Sequence, residues 1–354
     1  MKEQIKRIKL WQKGKQPGPI GIELAPTLKC NLDCDFCWRK DKEDIDYSSE
    51  LSFLDYKRII KEASELDVKE IKIIGGGEAT TRNDIIKIMD LVKKNKMFGY
   101  LCTNGTLFSE DFVKRLVEIE WDYIKISFHG PKEIHNDLVK DARAYDNVIK
   151  TLELFKKYKT LYKNRLPELE FGFVLVNKNY KKLNEVLEIA KSNNVKAVFV
   201  EPVTVYSKYG KKLKLNEKEQ NEFIGIAKKS YLLANKYGIK NNLQDFLKVN
   251  LIKNTNVMSK SIQEKSKGGS FLTVPCYEPW LRMGIRVDGA IGPCGFFDES
   301  SMENIKEKSL KEVWLGDYFN KRRKQMLDNN LPEYCKKCCT TLVSNNQRIR
   351  EELK

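Results

Sequence analysis

The chain has 354 residues, 41% of them hydrophobic, enough for a sizeable core and for one large domain with a smaller companion. No stretch approaches the roughly 18 consecutive apolar residues that a membrane span needs. The basic opening MKEQIKRIKLWQKGK lacks the apolar segment of a signal peptide, so a cytoplasmic location is expected. The net charge of +16, from 65 Lys and Arg against 49 Asp and Glu, could attract nucleic acid, an anionic membrane surface or an acidic substrate. Yet the lysines alternate with acids, as in KKLNEVLEIAKSNN, which is the pattern of solvated helix faces. No basic stripe interleaves with aromatics, and this argues against a nucleic-acid partner.

In chain order, residues 1–16 form an N-terminal arm, and Pro17-Gly18-Pro19 breaks local structure before a short strand over 20–24. A cysteine-rich loop follows that strand directly. Helical spacing over 54–66 leads to a strand over 68–74, which runs into Gly75-Gly76-Gly77-Glu78. A helix over 84–93 precedes a strand over 97–102 that ends in the turn signal Thr103-Asn104-Gly105. Ser109 is placed to cap a helix over 109–118. Strands over 123–127, 169–176 and 195–201 then alternate with helices over 147–158 and 182–192. Six strands read as apolar on both faces and alternating with helices predict a parallel sheet covered by helices, curled into a partial (β/α)6 TIM-like barrel.

In such a barrel the loops after the strands share one rim. The cysteine loop, the glycine turn, Thr103-Asn104-Gly105, Ser127-Phe128-His129-Gly130 and Glu201-Pro202 all belong there. The alternation is expected to stop at 203, where a helical connector runs to 269. Residues 270–354 then form a small cysteine-rich domain. The core domain is accordingly 17–202. In the last region Asp288-Gly289 between apolar runs signals a hairpin, and a helical piece over 310–327 delivers Cys335, Cys338 and Cys339.

The chemistry is concentrated in Cys30-Asn31-Leu32-Asp33-Cys34-Asp35-Phe36-Cys37. In a reducing compartment such cysteines read as metal ligands and not disulfides. A four-iron cubane takes one outside ligand per iron, so three close thiolates would leave a fourth iron open to a small molecule. Structural zinc is the alternative, but it calls for a closed set of four. Cys276, Cys294, Cys335 and Cys338 could make up such a closed set. Cys339 could replace Cys338 or be spare, and Cys102 reads as a small core residue. Only two histidines, His129 and His135, are present, which makes a histidine-based zinc hydrolase hard to assemble. His129 lies on the expected rim, where it could face substrate, but a structural role is the better reading. Glu23, Lys125 and Glu201 sit on or beside strands, where each could line the barrel with charge. No catalytic base is assigned.

Three marks together resemble the radical S-adenosylmethionine enzymes: the C-x3-C-x2-C loop with Phe36 before its last cysteine, the glycine–glutamate turn after the second strand, and the repeating strand–helix order over about 17–202. Residues from Cys276 onward resemble the SPASM auxiliary-cluster extension in its shortened "twitch" form. Gly289 before Cys294, the helix SLKEVWLGDYFNKRRKQML and the C-x2-C pair carry that likeness. The resemblance implies that Cys30, Cys34 and Cys37 hold a [4Fe–4S] cluster that S-adenosylmethionine chelates at its open iron. Reduction would then release a 5′-deoxyadenosyl radical that takes hydrogen from substrate. It further implies that Phe36, Gly76, Gly77, Glu78 and Ser127 bind the cofactor, with Ala79 standing where relatives usually have proline. Cys276, Cys294, Cys335 and Cys338 would close one auxiliary [4Fe–4S] cluster. An external electron donor such as flavodoxin or ferredoxin is implied as well.

A fully ligated second cluster cannot bind substrate through iron but can accept an electron. The expected reaction is therefore a net oxidation, a dehydrogenation or a peptide crosslink, of a small molecule or peptide that the net charge suggests is anionic. A redox-neutral epimerase or lyase is the alternative, and a zinc-dependent nucleic-acid-binding protein is a third.

Overall fold

The computed structural model of the chain describes residues 1–41, 47–205, 208–248, 270–294, 303–332, 335 and 340–354. The opening segment, read from sequence as an arm, is a helix, α1 (Lys2–Gln12). It is followed by the barrel strands β1 (Gly21–Leu24), β2 (Glu70–Ile73), β3 (Phe98–Thr103), β4 (Tyr123–Ser127), β5 (Glu168–Leu175) and β6 (Ala197–Pro202). All six pair in parallel and in chain order, which makes the expected partial barrel.

Helices α2 (Phe53–Glu65), α3 (Ile85–Lys94), α4 (Glu110–Glu118), α5 (Lys132–Val139), α6 (Ala144–Leu161) and α7 (Leu183–Ser192) lie between the strands. Two of their starts, those of α2 and α4, are written in the sequence as side-chain caps. Ser109 accepts a hydrogen bond from the Phe112 amide, and Ser52 with Asp55 forms a reciprocal capping box. All of them but α5 turn an apolar face to the sheet, where Ile71, Ile73, Leu101, Ile124, Ile126 and Phe171 join one continuous core.

The concave face of the strands departs from expectation. Polar residues recur along it: Glu70 and Lys72 on β2, Tyr100 on β3, Tyr123 and Lys125 on β4, Glu170 on β5, with Cys102 and Gly172 in the same phase. The strands are thus apolar on the helix-covered side and charged on the other. Among the described residues no helix covers the inner face, so it needs no apolar side chains, and its charges are paired within and between strands.

The strand–helix alternation also runs further than expected. After α8 (Lys208–Lys212), α9 (Glu217–Lys236) packs on the core through Phe223, Ala227 and Ala234. It leads to β7 (Lys240–Asn241), parallel to β6, and then to α10 (Leu243–Lys248). At the other edge, α11 (Glu278–Leu281) leads into β8 (Arg282–Ile285), which pairs in parallel with β1. The expected hairpin follows, with Gly289 at φ +88 and β9 (Ala290–Gly292) antiparallel to β8; β10 (Glu303–Asn304) pairs with β9. The C-terminal region therefore extends the barrel sheet itself beside β1.

Three more helices, α12 (Leu310–Leu315), α13 (Asp317–Leu327) and α14 (Thr340–Leu353), close this edge. A second apolar cluster joins Ile8 of α1 to Tyr277, Trp280, Met326 and Ile349. Buried Arg323 lies 4.4 Å from the Trp11 ring and 4.6 Å from that of Trp314, and its Nε donates to the Pro279 carbonyl. Cation–π contact of this kind ties α1 to α12 and α13.

Gly99 on β3 lies against fully buried Trp121, and a Cβ there would stand 2.4 Å from the indole. Gly99→Ala should lower stability in urea by about 1–3 kcal/mol through overpacking. Gly225→Ala in α9, where a Cβ meets nothing within 4 Å, should raise it by up to about 1 kcal/mol. Urea denaturation of the two variants beside the parent chain checks both signs.

Candidate active site

The loop after β1 is held at both ends. Glu50 accepts hydrogen bonds from the Thr27 hydroxyl (2.7 Å) and the Leu28 amide (2.8 Å), and the Asp35 amide donates to the Leu138 carbonyl on α5. Leu32, Val139 and Ala144 make a small apolar wall against which Cys30 and Cys34 pack. Burial pushes the Cys34 thiol well up, and the charges of Cys37 and Cys30 push it further. Burial raises Cys37 as well, partly offset by Arg39. The three sulfurs therefore lie within each other's fields, and burial holds Cys34 and Cys37 as thiols. This is a soft donor set suited to iron–sulfur.

The glycine turn after β2 is pressed onto this loop. The Gly77 amide donates to the Thr27 carbonyl (2.6 Å) and the Glu78 amide to the Lys29 carbonyl (2.7 Å). Gly76 adopts φ +69, and a Cβ on it would fall 2.3 Å from the Thr27 oxygen; one on Gly77 would fall 1.9 Å from the Lys29 oxygen. Only glycine fits at both positions. Gly75, at φ +74, borders open space.

Glu78 is 3% exposed, and its carboxylate is fully engaged by the protein. One oxygen accepts from the Thr80 amide and hydroxyl and from the Thr103 hydroxyl, the other from the Asn104 amide. Asn104 then donates to Asn31 Oδ1 (2.9 Å), and Asn31 donates to the Thr106 hydroxyl (2.9 Å). Glu78 thus joins the loops after β2 and β3, and Asn104 joins the latter to the cysteine loop. Thr103-Asn104-Gly105 was legible as a turn, but its grip on Asn31 was not, because nothing local encodes a partner 73 residues away.

Phe36 packs edge-on against His129 at 4.9 Å, beside Leu138 and Val176. His129 and His135 are each 1% exposed, and each uses Nδ1 to accept a backbone N–H, from Val174 and His129 respectively. His129 thus takes the structural one of its two expected roles, and His135 supports it. Burial holds both rings neutral, with His135 lowered to about 4. Ser127 ends β4, and its hydroxyl makes no hydrogen bond among the described residues.

Below this rim the concave face carries a charge ladder. Lys125 stands 3.3 Å from Glu201 and 3.6 Å from Glu170, and Tyr123 donates to Glu170 at 2.6 Å. The stem of Lys125 crosses Gly172, where a Cβ would meet Lys125 Cε at 2.5 Å. Burial alone would lower the Lys125 pKa; Glu201, Cys102 and Glu170 together raise it, so this ammonium stays charged. Cys102 faces the same space, its thiol raised by burial to about 11. Tyr100 stacks on Tyr123 at 5.4 Å, and on the β1 side Lys72, Glu70 and Arg282 continue the ladder. Lys125 and Glu201 were expected as barrel charges. Glu170 and Tyr123 were missed, although the alternation in YIKIS and ELEFGF carries them.

At the β8 edge, burial raises the Cys276 thiol strongly, with Glu278, Cys294 and Cys335 adding their charges. Cys335 is raised to about 11 by burial, against the pull of Arg322. Cys276, Cys294 and Cys335 are thereby brought together, while Cys338 and Cys339 lie outside the described residues. Among the described residues, no three His, Cys, Asp or Glu close on a single-ion site; a cubane assigns its thiolates one to an iron and sets them further apart.

The family model for the Radical SAM superfamily matches residues 24–166, and that for the SPASM iron–sulfur cluster-binding domain matches 276–339. The chain carries a radical SAM domain and a SPASM domain. It is 22% identical to the Fe-coproporphyrin III synthase of Methanosarcina barkeri over 364 residues, covering 97% of this chain and 86% of that protein. It is 27% identical to the cysteine-type anaerobic sulfatase-maturating enzyme of Clostridium perfringens over 353 residues, covering 90% and 86%. In fold it matches Streptococcus suis SuiB bound to S-adenosylmethionine, at a TM-score of 0.67 and 19% identity over 89% of this chain and 70% of that one. SuiB bound to its precursor peptide SuiA matches at 0.65 and 19%, over 90% and 70%. A radical SAM domain joined to a SPASM domain implies S-adenosylmethionine at a [4Fe–4S] cluster and an auxiliary iron–sulfur site. No helix among the described residues is long and apolar enough to cross a membrane.

Gly77→Ala must displace the cysteine loop, so iron content after anaerobic reconstitution should fall by about half and S-adenosylmethionine binding by at least about tenfold. Iron analysis with equilibrium dialysis checks this; native values of both would contradict the packing described. The histidines give a pH dependence. Their folded pKa values lie below the unfolded value near 6.5, so the unfolded chain binds more protons between about 6.5 and 4. Stability should fall as pH drops through that window, and His135→Asn should flatten the slope in urea titrations.

Proposed function

We propose that this radical SAM enzyme performs a net oxidation on a polar substrate, most simply a peptide side chain, with the auxiliary cluster as electron acceptor. The observation that carries this reading is the pairing of β8 with β1. It ties the segment that carries Cys276, just before α11 and β8, and Cys294, just after β9, to the strand that leads into Cys30, Cys34 and Cys37. An acceptor fixed to the same sheet as the reactive loop suits removal of an electron from a substrate held between them. Likeness in fold to a protein solved with its precursor peptide supports a peptide, and the charged barrel lining suits a polar one.

In this reading Cys30, Cys34 and Cys37 hold the reactive cluster, and Cys276, Cys294 and Cys335 with Cys338 hold one auxiliary cluster. When bound, the reactive cluster with S-adenosylmethionine supplies a hydrogen-abstracting carbon radical. The backbone of Gly76 and Gly77 receives the methionine ammonium, Ser127 offers its free hydroxyl, and Phe36 walls the cofactor side. Glu78 acts by holding the rim together, since its oxygens are already spent on Thr80, Thr103 and Asn104. Lys125, Glu170 and Glu201 face the substrate and orient it. A low-potential donor such as flavodoxin or ferredoxin supplies the initiating electron, and the cytoplasm suits such thiol-held clusters.

The test is anaerobic incubation of the reduced enzyme with S-adenosylmethionine and a peptide library, read by mass spectrometry. Formation of 5′-deoxyadenosine with a product lighter by two hydrogens is expected; a product of unchanged mass would support a redox-neutral enzyme instead. Lys125→Met should keep cofactor cleavage but lower product formation by about 10²-fold, as a misplaced substrate would. Unchanged product yield would remove the ladder from the substrate site.

A further inference from the structure

We infer that Asn346 is a positioning residue that sets the reduction potential of the auxiliary cluster through the sulfur of Cys276. This rests on the reading above in one respect, that Cys276 is a ligand of that cluster; the sulfur described as a thiol here would then be a thiolate. Asn346 lies on α14 and is 0% exposed. Its Oδ1 accepts a hydrogen bond from the Tyr277 amide at 2.7 Å. Its Nδ2 donates to the Leu342 carbonyl at 2.7 Å and to Cys276 Sγ at 3.7 Å.

A buried asparagine is costly unless its amide is satisfied, and two of these three contacts fall on one cysteine and its neighbour. The orientation is over-determined. Oδ1 is fixed by the Tyr277 N–H, which can only donate, so the NH2 group must be the one that faces sulfur. The segment is pinned from the other side by Arg350, also on α14, whose Nη1 donates to the Val274 and Pro275 carbonyls at 3.1 Å each. Val274, Tyr277, Trp280 and Ile349 form one buried cluster with Cys276 against it. The backbone N–H of Glu278 also acts on this sulfur, and the buried Glu278 carboxylate lies near it, so Asn346 is its side-chain donor in a small polar set.

The sign follows from charge. Reduction adds one electron to the cluster and makes its thiolates more negative, so an N–H donor at sulfur stabilises the reduced form and raises the potential. Removing it should favour the oxidised form by about tenfold, or about 59 mV for one electron. Asn346→Asp keeps an oxygen for the Tyr277 amide but replaces the donor with negative charge. Asn346→Leu removes both.

The experiment is an EPR-monitored redox titration of anaerobically reconstituted full-length protein, wild type and both variants, with iron content measured on each sample. Expected are two cubanes in all three, an unchanged potential for the N-terminal cluster, and a lower auxiliary potential in Asn346→Leu and lower still in Asn346→Asp. An unchanged auxiliary potential in both would overturn the inference. As a readout independent of folding, wild-type protein carrying asparagine labelled with nitrogen-15 at the side-chain amide should show hyperfine coupling from that nitrogen in the reduced auxiliary cluster. Absence of the coupling overturns the inference even if the variants fail to fold. Wild-type protein with only one cubane would instead sink the ligand reading itself, a different and separable result.

Discussion

Two backbone hydrogen bonds, from the amides of Gly77 and Glu78 to the carbonyls of Thr27 and Lys29, govern the placement of everything else at the rim. They bring the turn after β2 into van der Waals contact with the loop after β1, so closely that side chains at residues 76 and 77 would collide with its carbonyls. That approach puts a carbonyl-rich glycine turn beside three thiols. A cofactor with a cationic amine at one end and a metal-binding carboxylate beside it needs both kinds of neighbour at once. Glu78 then fixes the turn from beneath, and Asn104 locks the next loop onto Asn31. The geometry of the reactive loop is thus held by three different strands.

Beneath the rim the electrostatics reverse the impression given by composition. The chain is strongly basic, yet the barrel interior matches its lysines with carboxylates: Lys125 with Glu170 and Glu201, Lys72 and Arg282 with Glu70. The surplus positive charge therefore resides mainly outside the cavity, and net charge is no guide to the substrate. Where Gly172 withholds a side chain, the Lys125 stem passes over it toward Glu201. The identity of one glycine thereby decides where a buried ammonium is delivered.

Much of this was legible in the sequence, and the rest was not for identifiable reasons. The cysteine spacing, the glycine turn, the Ser109 cap and the Asp288-Gly289 hairpin are local signals, and local signals are readable. The inward charges were readable too, since EIKI and YIKIS alternate strictly, but a prior expectation of strands apolar on both faces hid them. Helix α1 is short and gains its stability from packing on the C-terminal helices, so propensity alone does not announce it. The pairing of β8 with β1 joins residues far apart in the chain, as does the contact of Asn346 with Cys276. No local pattern encodes either, and both determine how the second thiol set relates to the first.

The most direct test of the account is electron–nuclear spectroscopy of the reduced, oxygen-protected protein with S-adenosylmethionine labelled with oxygen-17 at its carboxylate. The account predicts a hyperfine coupling from that oxygen to one [4Fe–4S] cluster, retained when Cys276 is changed to Ala and lost when Cys34 is. A reduced cluster that shows no coupling to the labelled carboxylate, or one whose coupling survives loss of Cys34, would contradict it.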